Sequence, residues 1–304
     1  MTTSWVPLLG QFNIEAERIT FLGAPPRSEA GQTLHAVGNI LSSQQFGGGV
    51  LSATFTFSSV SQDGAGLILF YQTTTRAFIA VTLGAGALCS IRSWANNQWV
   101  THSIIGSPEH FKVGEHYDLK VTAKGSHVVA SLNGVDVLSA NLPFPLPKGQ
   151  CGVWATGIAS ISITDFAVHR ERPRAFVVMQ YSSPFNELYD DVISKVCDSL
   201  GLLAQRADDT FGPGLIIADI ERQILEAKVV IADITPSNPN VYYEVGFSHA
   251  MKKPTILVAE GPMKLPFDVS PFRTLFYENT IAGKAKIEAG LRKHLEAIQT
   301  DWAV

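Results

Sequence analysis

Two domains of different class are predicted for this chain: an all-β sandwich over residues 1–170, then an α/β doubly wound parallel sheet over 171–304. Three observations predict them. The chain has 304 residues, more than the roughly 100 to 200 usual for one domain. Up to His169 it consists of short apolar or alternating runs separated by Gly, Asn and Asp turns. After Arg174, continuous apolar runs alternate with helical segments, the pattern of a parallel sheet covered on both faces.

In the first half the runs are VLSATFTFSSV, AGLILFYQ, AFIAVTLG, HYDLKVTAKG, HVVASLNGVDVLSA and ISITDFAVH. Their spacing suits two packed antiparallel sheets, and no long segment keeps a helical period. Gly125 to Ser126 and Asn133 to Gly134 sit where tight hairpins need a left-handed backbone. Trp94, Trp99 and Trp154 are read as alternating into the sandwich core, as large strand aromatics usually do. The competing reading makes them, with Tyr71, a carbohydrate face. No acidic loop suggests calcium, and no carboxylate pair has the spacing of a glycanase.

The pattern changes at VHRERPRAFVVMQ, where Pro173 interrupts strand pairing, and the boundary is placed near Arg170. The second half then reads as a strand (AFVVM), a helix (186–200), a short strand (LLAQRA), a helix (215–226), a strand (VVIADI), a helix (240–251) and a strand (PTILVAE). Ligands of such sheets collect at the carboxyl ends of the strands. Those loops carry Gln180, Tyr181, Ser182 and Phe185, then Arg206, Asp208 and Asp209, then Asp233 and Asn238.

Asn238 followed by Pro239 reads as a helix N-cap and first helical residue, which places Glu244 in the second turn beside Tyr242 and Tyr243. A carboxylate among tyrosines at the strand ends suits a nucleophile or a stabiliser of an oxocarbenium-like transition state. The plain alternative, a salt bridge to Lys252 or Lys253, is too distant along the helix for a turn-to-turn pair. Gly246 weakens a helix relative to Ala, so close approach by another backbone or a ligand is expected there. His249 lies off the face of Glu244 and is read as structural or solvated.

Composition excludes several classes. Charged residues are 16% and the net charge is -4, with no Lys/Arg block, so no general nucleic-acid binding is expected. The three cysteines, Cys89, Cys151 and Cys197, have no metal-ligand or disulfide-framework spacing and read as reduced core residues. No stretch reaches the roughly 18 apolar residues of a spanning helix, and a cytoplasmic protein without membrane contact or metal is expected. The dinucleotide GxGxxG and the GxxxxGK[ST] fingerprints are missing, so hydride transfer and ATP hydrolysis are unsupported.

Two resemblances add to this reading. HYDLKVTAKGSHVVASLNGVDVL and KGQCGVWATGIASISITDFAVHR resemble the concanavalin A-like or laminin G-like jelly roll, a layout that serves sugar binders, hydrolases and interaction modules alike. The resemblance implies a sensing or assembly domain with a glycan or protein ligand. FVVMQYSSPFNELYDDVI, QRADD, IADIERQILEAKVVIADITPSNPNVYYEVGFSHAMKKPTILVAE and LPFDVSPFRTLFYEN resemble the nucleoside 2-deoxyribosyltransferase-like and TIR-like proteins, whose sheet is flavodoxin-like or Rossmann-like. That resemblance implies cleavage of the N-glycosidic bond of NAD or a nucleoside, with Glu244 matching the family's catalytic Glu in N-x-x-x-E-x-G. NAD then enters as substrate and no cofactor is implied. The resemblance also implies a homo-oligomer, because TIR-like relatives often complete their sites across subunits, and a setting in bacterial anti-phage defence. The chain departs from the transferases where Asn238 replaces an acidic residue and Asp219 falls out of register, which shifts the expectation towards NAD cleavage. Asp233 is assigned a catalytic part with Glu244. Gln180, Tyr181, Ser182, Phe185, Arg206, Asp208, Asp209, Asn238 and Tyr243 are assigned to substrate.

Overall fold

The computed structural model describes residues 3–29, 32–59, 63–207, 216–261 and 263–301. The chain forms two compact units, the first lying within residues 1–171 and the second built on Arg172 onward.

The first unit is a sandwich of two seven-stranded antiparallel sheets. Gly49–Phe57 shows why they pack: its residues alternate between buried and half-buried, and Leu51, Ala53, Phe55 and Phe57 enter the core between the sheets. The hairpin corners are as expected, with left-handed φ of 55° at Gly125, 50° at Asn133 and 81° at Gly134. Cys89, Cys151 and Cys197 are buried and free.

The tryptophans depart from expectation. Phe78–Gly84 is buried along its whole length, so the other face of its sheet is covered as well. Parity explains how: Val153 and Ala155 point into the inter-sheet core, and Trp154 between them must point to the opposite face. There Trp154 joins Leu41, Ile68, Phe78 and Ala80, with Trp94 and Trp99 packed against them. The rings meet edge to face, Trp94 with Trp99 at 5.3 Å, Trp99 with Trp154 at 5.7 Å and Phe78 with Trp99 at 5.3 Å. These residues form a second apolar layer outside the core.

In the second unit, numbered from its own start, β1 is Arg174–Val178, β2 Leu203–Arg206, β3 Val229–Asp233, β4 Thr255–Glu260 and β5 Thr274–Tyr277. All pairings are parallel and the order is β2-β1-β3-β4-β5, the doubly wound arrangement. Helix α1 covers 185–199 with a π-helical turn at Tyr189–Ile193, α2 is Ile216–Glu226, α3 Pro239–Ala250 and α4 Ile281–Asp301. Strand parity divides the core. Ala175, Val177, Val229 and Ile231 face α1 and α4, whereas Phe176, Val178, Val230 and Ala232 face α2 and α3. Neither β5 nor α4 is in the sequence reading, because the four-residue run TLFY carries too little periodicity to stand out. No helix among the described residues is long and apolar enough to cross a membrane.

Phe55 is fully buried between the two sheets, so Phe55→Ala should destabilise the sandwich by about 3–5 kcal/mol. Tryptophan fluorescence in a denaturant titration reads the effect, since Trp5, Trp94, Trp99 and Trp154 all lie in this unit.

Candidate functional site

β1 lies between β2 and β3, and the chain leaves β1 towards β2 on one side while β3 continues the sheet on the other. The carboxyl ends of β1 and β3 therefore flank the switch point, the place at which open sheets of this kind bind ligands. One side chain ties these loops together. Asn238 caps α3, its Oδ1 accepting from the Asn240 backbone N–H at 2.9 Å, with Pro239 as first helical residue. That orientation turns Nδ2 towards the β1 loop, where it donates to Gln180 Oε1 at 2.9 Å.

The end of β2 is drawn in by Arg206. Its guanidinium lies over the rings of Tyr181 at 5.4 Å and Tyr189 at 4.4 Å, and its Nη1 donates to Asn186 Oδ1 at 2.8 Å. Gln180, Tyr181, Arg206 and Asn238 are thus linked around the strand ends. Tyr181 keeps 40% of its surface exposed, leaving ring area for a ligand. The backbone carbonyl of Ser182 accepts from the Phe185 and Asn186 N–H groups and starts α1. Phe185 is half-buried against the core beside α1, where it packs on the apolar cluster. Tyr243 is half exposed, and its hydroxyl donates to Glu221 Oε1 of α2 at 3.1 Å, so it joins helices. Asp208 and Asp209 lie outside the described residues.

Asp233 is fully buried and both its oxygens are engaged. Oδ1 accepts from the Thr235 N–H at 3.0 Å and Oδ2 from the Tyr277 hydroxyl at 2.9 Å. Burial pushes its carboxyl up to about 7 against the pull of those two hydrogen bonds. The Tyr277 hydroxyl is raised too, by burial first and then by Asp233. This pair clamps the end of β3 to the end of β5 and turns the β3 loop. The geometry is that of a structural latch, which accounts for Asp233 without the catalytic part assigned to it.

Glu244 differs in kind. It lies on the buried stripe of α3 with Val241, Val245 and Ser248, and only 7% of its surface is exposed. Its carboxylate has no hydrogen-bond or ion-pair partner among the described residues, and burial alone raises it to about 7. Lys253 is committed elsewhere, donating from Nζ to the carbonyls of Leu225 at 2.5 Å and Ala227 at 2.9 Å. Holding such a group costs stability, because burial strips a carboxylate of part of its hydration and no donor among the described residues replaces it. His249 stacks on Phe272 at 4.1 Å, a structural contact. No other backbone approaches Gly246: a Cβ there meets nothing of the described protein within 4 Å.

On the other face of the sheet, between α1 and α4, a cleft of about 330 Å³ is lined by Pro184, Glu187, Asp191, Glu260, Tyr277 and Lys284. Tyr277 and Glu260 escaped the sequence reading. Their signal was weak, a Tyr-Glu pair ending a short strand and a Glu ending TILVAE. No group of three or more His, Cys, Asp or Glu side chains among the described residues is placed to hold a metal ion.

Two outcomes test this geometry. Glu244→Gln removes the cost of an ionised buried carboxylate. A folded-state value near 7 lies above the ordinary 4.5, so that cost is absent below about pH 4.5, grows as pH rises and is complete above about pH 7. The variant should match the parent in stability near pH 4.5 and exceed it by up to about 3 kcal/mol at pH 8, read from thermal or denaturant unfolding at both pH values. Gly246→Ala should raise the stability of the second unit by about 0.5–1 kcal/mol, the helix-propensity gain, because the site has room for the methyl group. Helical ellipticity followed through the same unfolding checks it.

No family model matches the chain, and no curated protein matches it. Among solved structures, it is similar to the carbohydrate-binding module CBM66 from Bacillus subtilis, at 17% identity and a TM-score of 0.43 over 53% of this chain and 92% of that one. It is also similar to a protein of unknown function with a galectin-like fold from Bacillus subtilis, at 15% identity and a TM-score of 0.41 over 54% and 88%. A prokaryotic β-1,3-1,4-glucanase (lichenase) derived from a mouse hindgut metagenome is similar at 12% identity and a TM-score of 0.37 over 53% and 90%. Each likeness covers about half of this chain and is one of fold alone.

Proposed function

We propose that the α/β unit is an N-glycosidase that cleaves NAD to nicotinamide and ADP-ribose, with Glu244 as the carboxylate at the ribose C1. The observation that carries this reading is the state of Glu244: buried, unpaired and held near neutrality by its surroundings, one turn into the helix that starts at the switch-point crevice. Asp233, the other buried carboxylate among the described residues of this unit, is engaged at both oxygens. A buried carboxylate left without a partner is expensive, and a cationic transition state is the partner it suits.

The chemistry balances without a cofactor. The C1–N bond breaks with both electrons leaving on the nicotinamide nitrogen, which departs neutral from a cationic ring. Positive charge grows on the ribose C1 and ring oxygen, where ionised Glu244 stabilises it or adds to C1. Water then supplies the hydroxyl at C1 and releases a proton. Asn238 and Gln180 offer amides to ribose hydroxyls at the crevice, and the exposed ring of Tyr181 offers a stacking face for a base. The resemblance to TIR-like proteins supports a homo-oligomer as the active form and anti-phage defence as the setting.

The test is incubation of the full chain, at low and high concentration, with NAD and separately with deoxyinosine plus adenine, followed by chromatography. Nicotinamide release is expected, rising with protein concentration and with pH through about 7 as Glu244 ionises. Glu244→Gln should lower it by about 100-fold or more. Base exchange without NAD loss would make the unit a transferase, and turnover unchanged in Glu244→Gln would remove Glu244 from the chemistry.

A further inference from the structure

The parallel sheet of the second unit ends at β5, which has β4 on one side and no described strand on the other. Edge strands are usually blunted by a charge, a proline or a bulge, because their free backbone groups are a template for another strand. β5 has none of these. Its residues are Thr274, Leu275, Phe276 and Tyr277, and its pairing with β4 runs without a shift in register. We infer that β5 is the docking edge for β5 of a second copy of this chain, the two strands pairing antiparallel about a two-fold axis at Phe276.

The backbone fixes which groups are free. The carbonyl of Tyr277 accepts from the Gly261 N–H at 2.8 Å, so the backbone groups of Tyr277 point to β4. Alternate residues of a strand direct theirs to opposite sides. Leu275 therefore shares the direction of Tyr277, and the N–H and C=O of Thr274 and Phe276 point away from the sheet. In an antiparallel pair about a two-fold axis, opposed residues must also share a face, so their positions differ by an even number. Phe276 opposite the second copy's Phe276, Thr274 opposite its Glu278 and Leu275 opposite its Tyr277 meets both conditions.

The side chains supply an apolar patch at this edge. Leu275 and Tyr277 pack with the cluster of α1 and α4, so Phe276 takes the opposite face, that of α3. There 42% of its surface is exposed. Phe272 stacks on His249 of α3, which puts it on the same side, and it is 45% exposed. Beside the edge a cleft of about 380 Å³ is lined by Gly261, Met263, Phe276 and Glu278, room for the side chains of an added strand. Pairing sets the two Phe276 rings side by side across the axis, the cross-strand aromatic contact that stabilises sheets.

Charge decides the direction and the occupant. Arg273 precedes β5 and Glu278 follows it, both exposed, with no charge between them. Antiparallel pairing brings the Arg273 end of each copy to the Glu278 end of the other, whereas parallel pairing would set like charges together. A strand complementary to its own reverse suits a second copy of itself, and two-fold closure satisfies both β5 edges at two chains. The pairing is carried by β5 alone. It is independent of the NAD reading, which expects an oligomer without saying through which surface.

The test is sedimentation velocity of the full chain from about 1 to 100 μM. A monomer–dimer equilibrium on the order of micromolar is expected, because a four-residue ladder buries little area. Phe276→Lys sets two like charges opposite each other on the axis, and Thr274→Pro removes an outward N–H while leaving the β4 ladder intact. Each should weaken the dimer at least about tenfold. Leu203→Lys, on the β2 edge, should leave it unchanged. Thermal melting of each variant confirms the fold, and hydrogen exchange in a peptide spanning 273–278 should slow as protein concentration rises. Monomer throughout this range, a dimer that survives both Phe276→Lys and Thr274→Pro, or a dimer lost in Leu203→Lys would overturn the inference. A dimer without nicotinamide release would leave it standing and remove the NAD reading, and nicotinamide release by a monomer would do the reverse.

Discussion

Successive side chains of a β-strand point to opposite faces, and a strand apolar at every position must be covered twice. Both units answer that constraint, in different ways. In the α/β unit, Phe176 and Val178 face one pair of helices while Ala175 and Val177 face the other, so each strand needs a crossover helix and the sheet becomes parallel. In the sandwich, Leu67, Leu69 and Val81 enter the shared core, and the opposite faces of the same strands are covered by indole rings. Helices at both faces leave the strand ends as the place where loops bring side chains together. Rings on an outer face give the sandwich a second apolar layer of its own.

The site in the second unit follows from the first of these solutions. With order β2-β1-β3-β4-β5, the loops after β1 and β3 leave in opposite directions, and a link between them is needed if they are to hold a shape. Asn238 supplies it by capping α3 with its oxygen and reaching Gln180 with its nitrogen. Asp233 and Tyr277 tie the ends of β3 and β5, at a cost in desolvation that their hydrogen bonds only partly offset. Glu244, raised to about 7 as well, bears that cost with no hydrogen bond among the described residues, which sets it apart from Asp233.

Much of this was legible in the residues, and the reasons are local. Asn238-Pro239 announces a helix start because a cap oxygen and a missing N–H both suit the first turn. Asn133-Gly134 announces a hairpin because both residues tolerate positive φ. The distance along the helix between Glu244 and Lys253 already argued against their pairing, and Lys253 does donate elsewhere. Gly246 was not legible in this way, because low helix propensity has more than one cause and only packing shows that no other backbone comes close.

What the sequence determined by itself was the class of each half and the positions of loops, caps and turns, since these depend on periodicity and on neighbours a few residues apart. The tertiary structure decided which face each tryptophan takes, whether Asp233 is free or latched, and that Tyr277 meets it across 44 residues. Those outcomes depend on strand parity relative to partners distant in sequence and on how many of a carboxylate's oxygens find donors. A single residue's identity carries neither, because burial and hydrogen bonding are properties of the assembled neighbours.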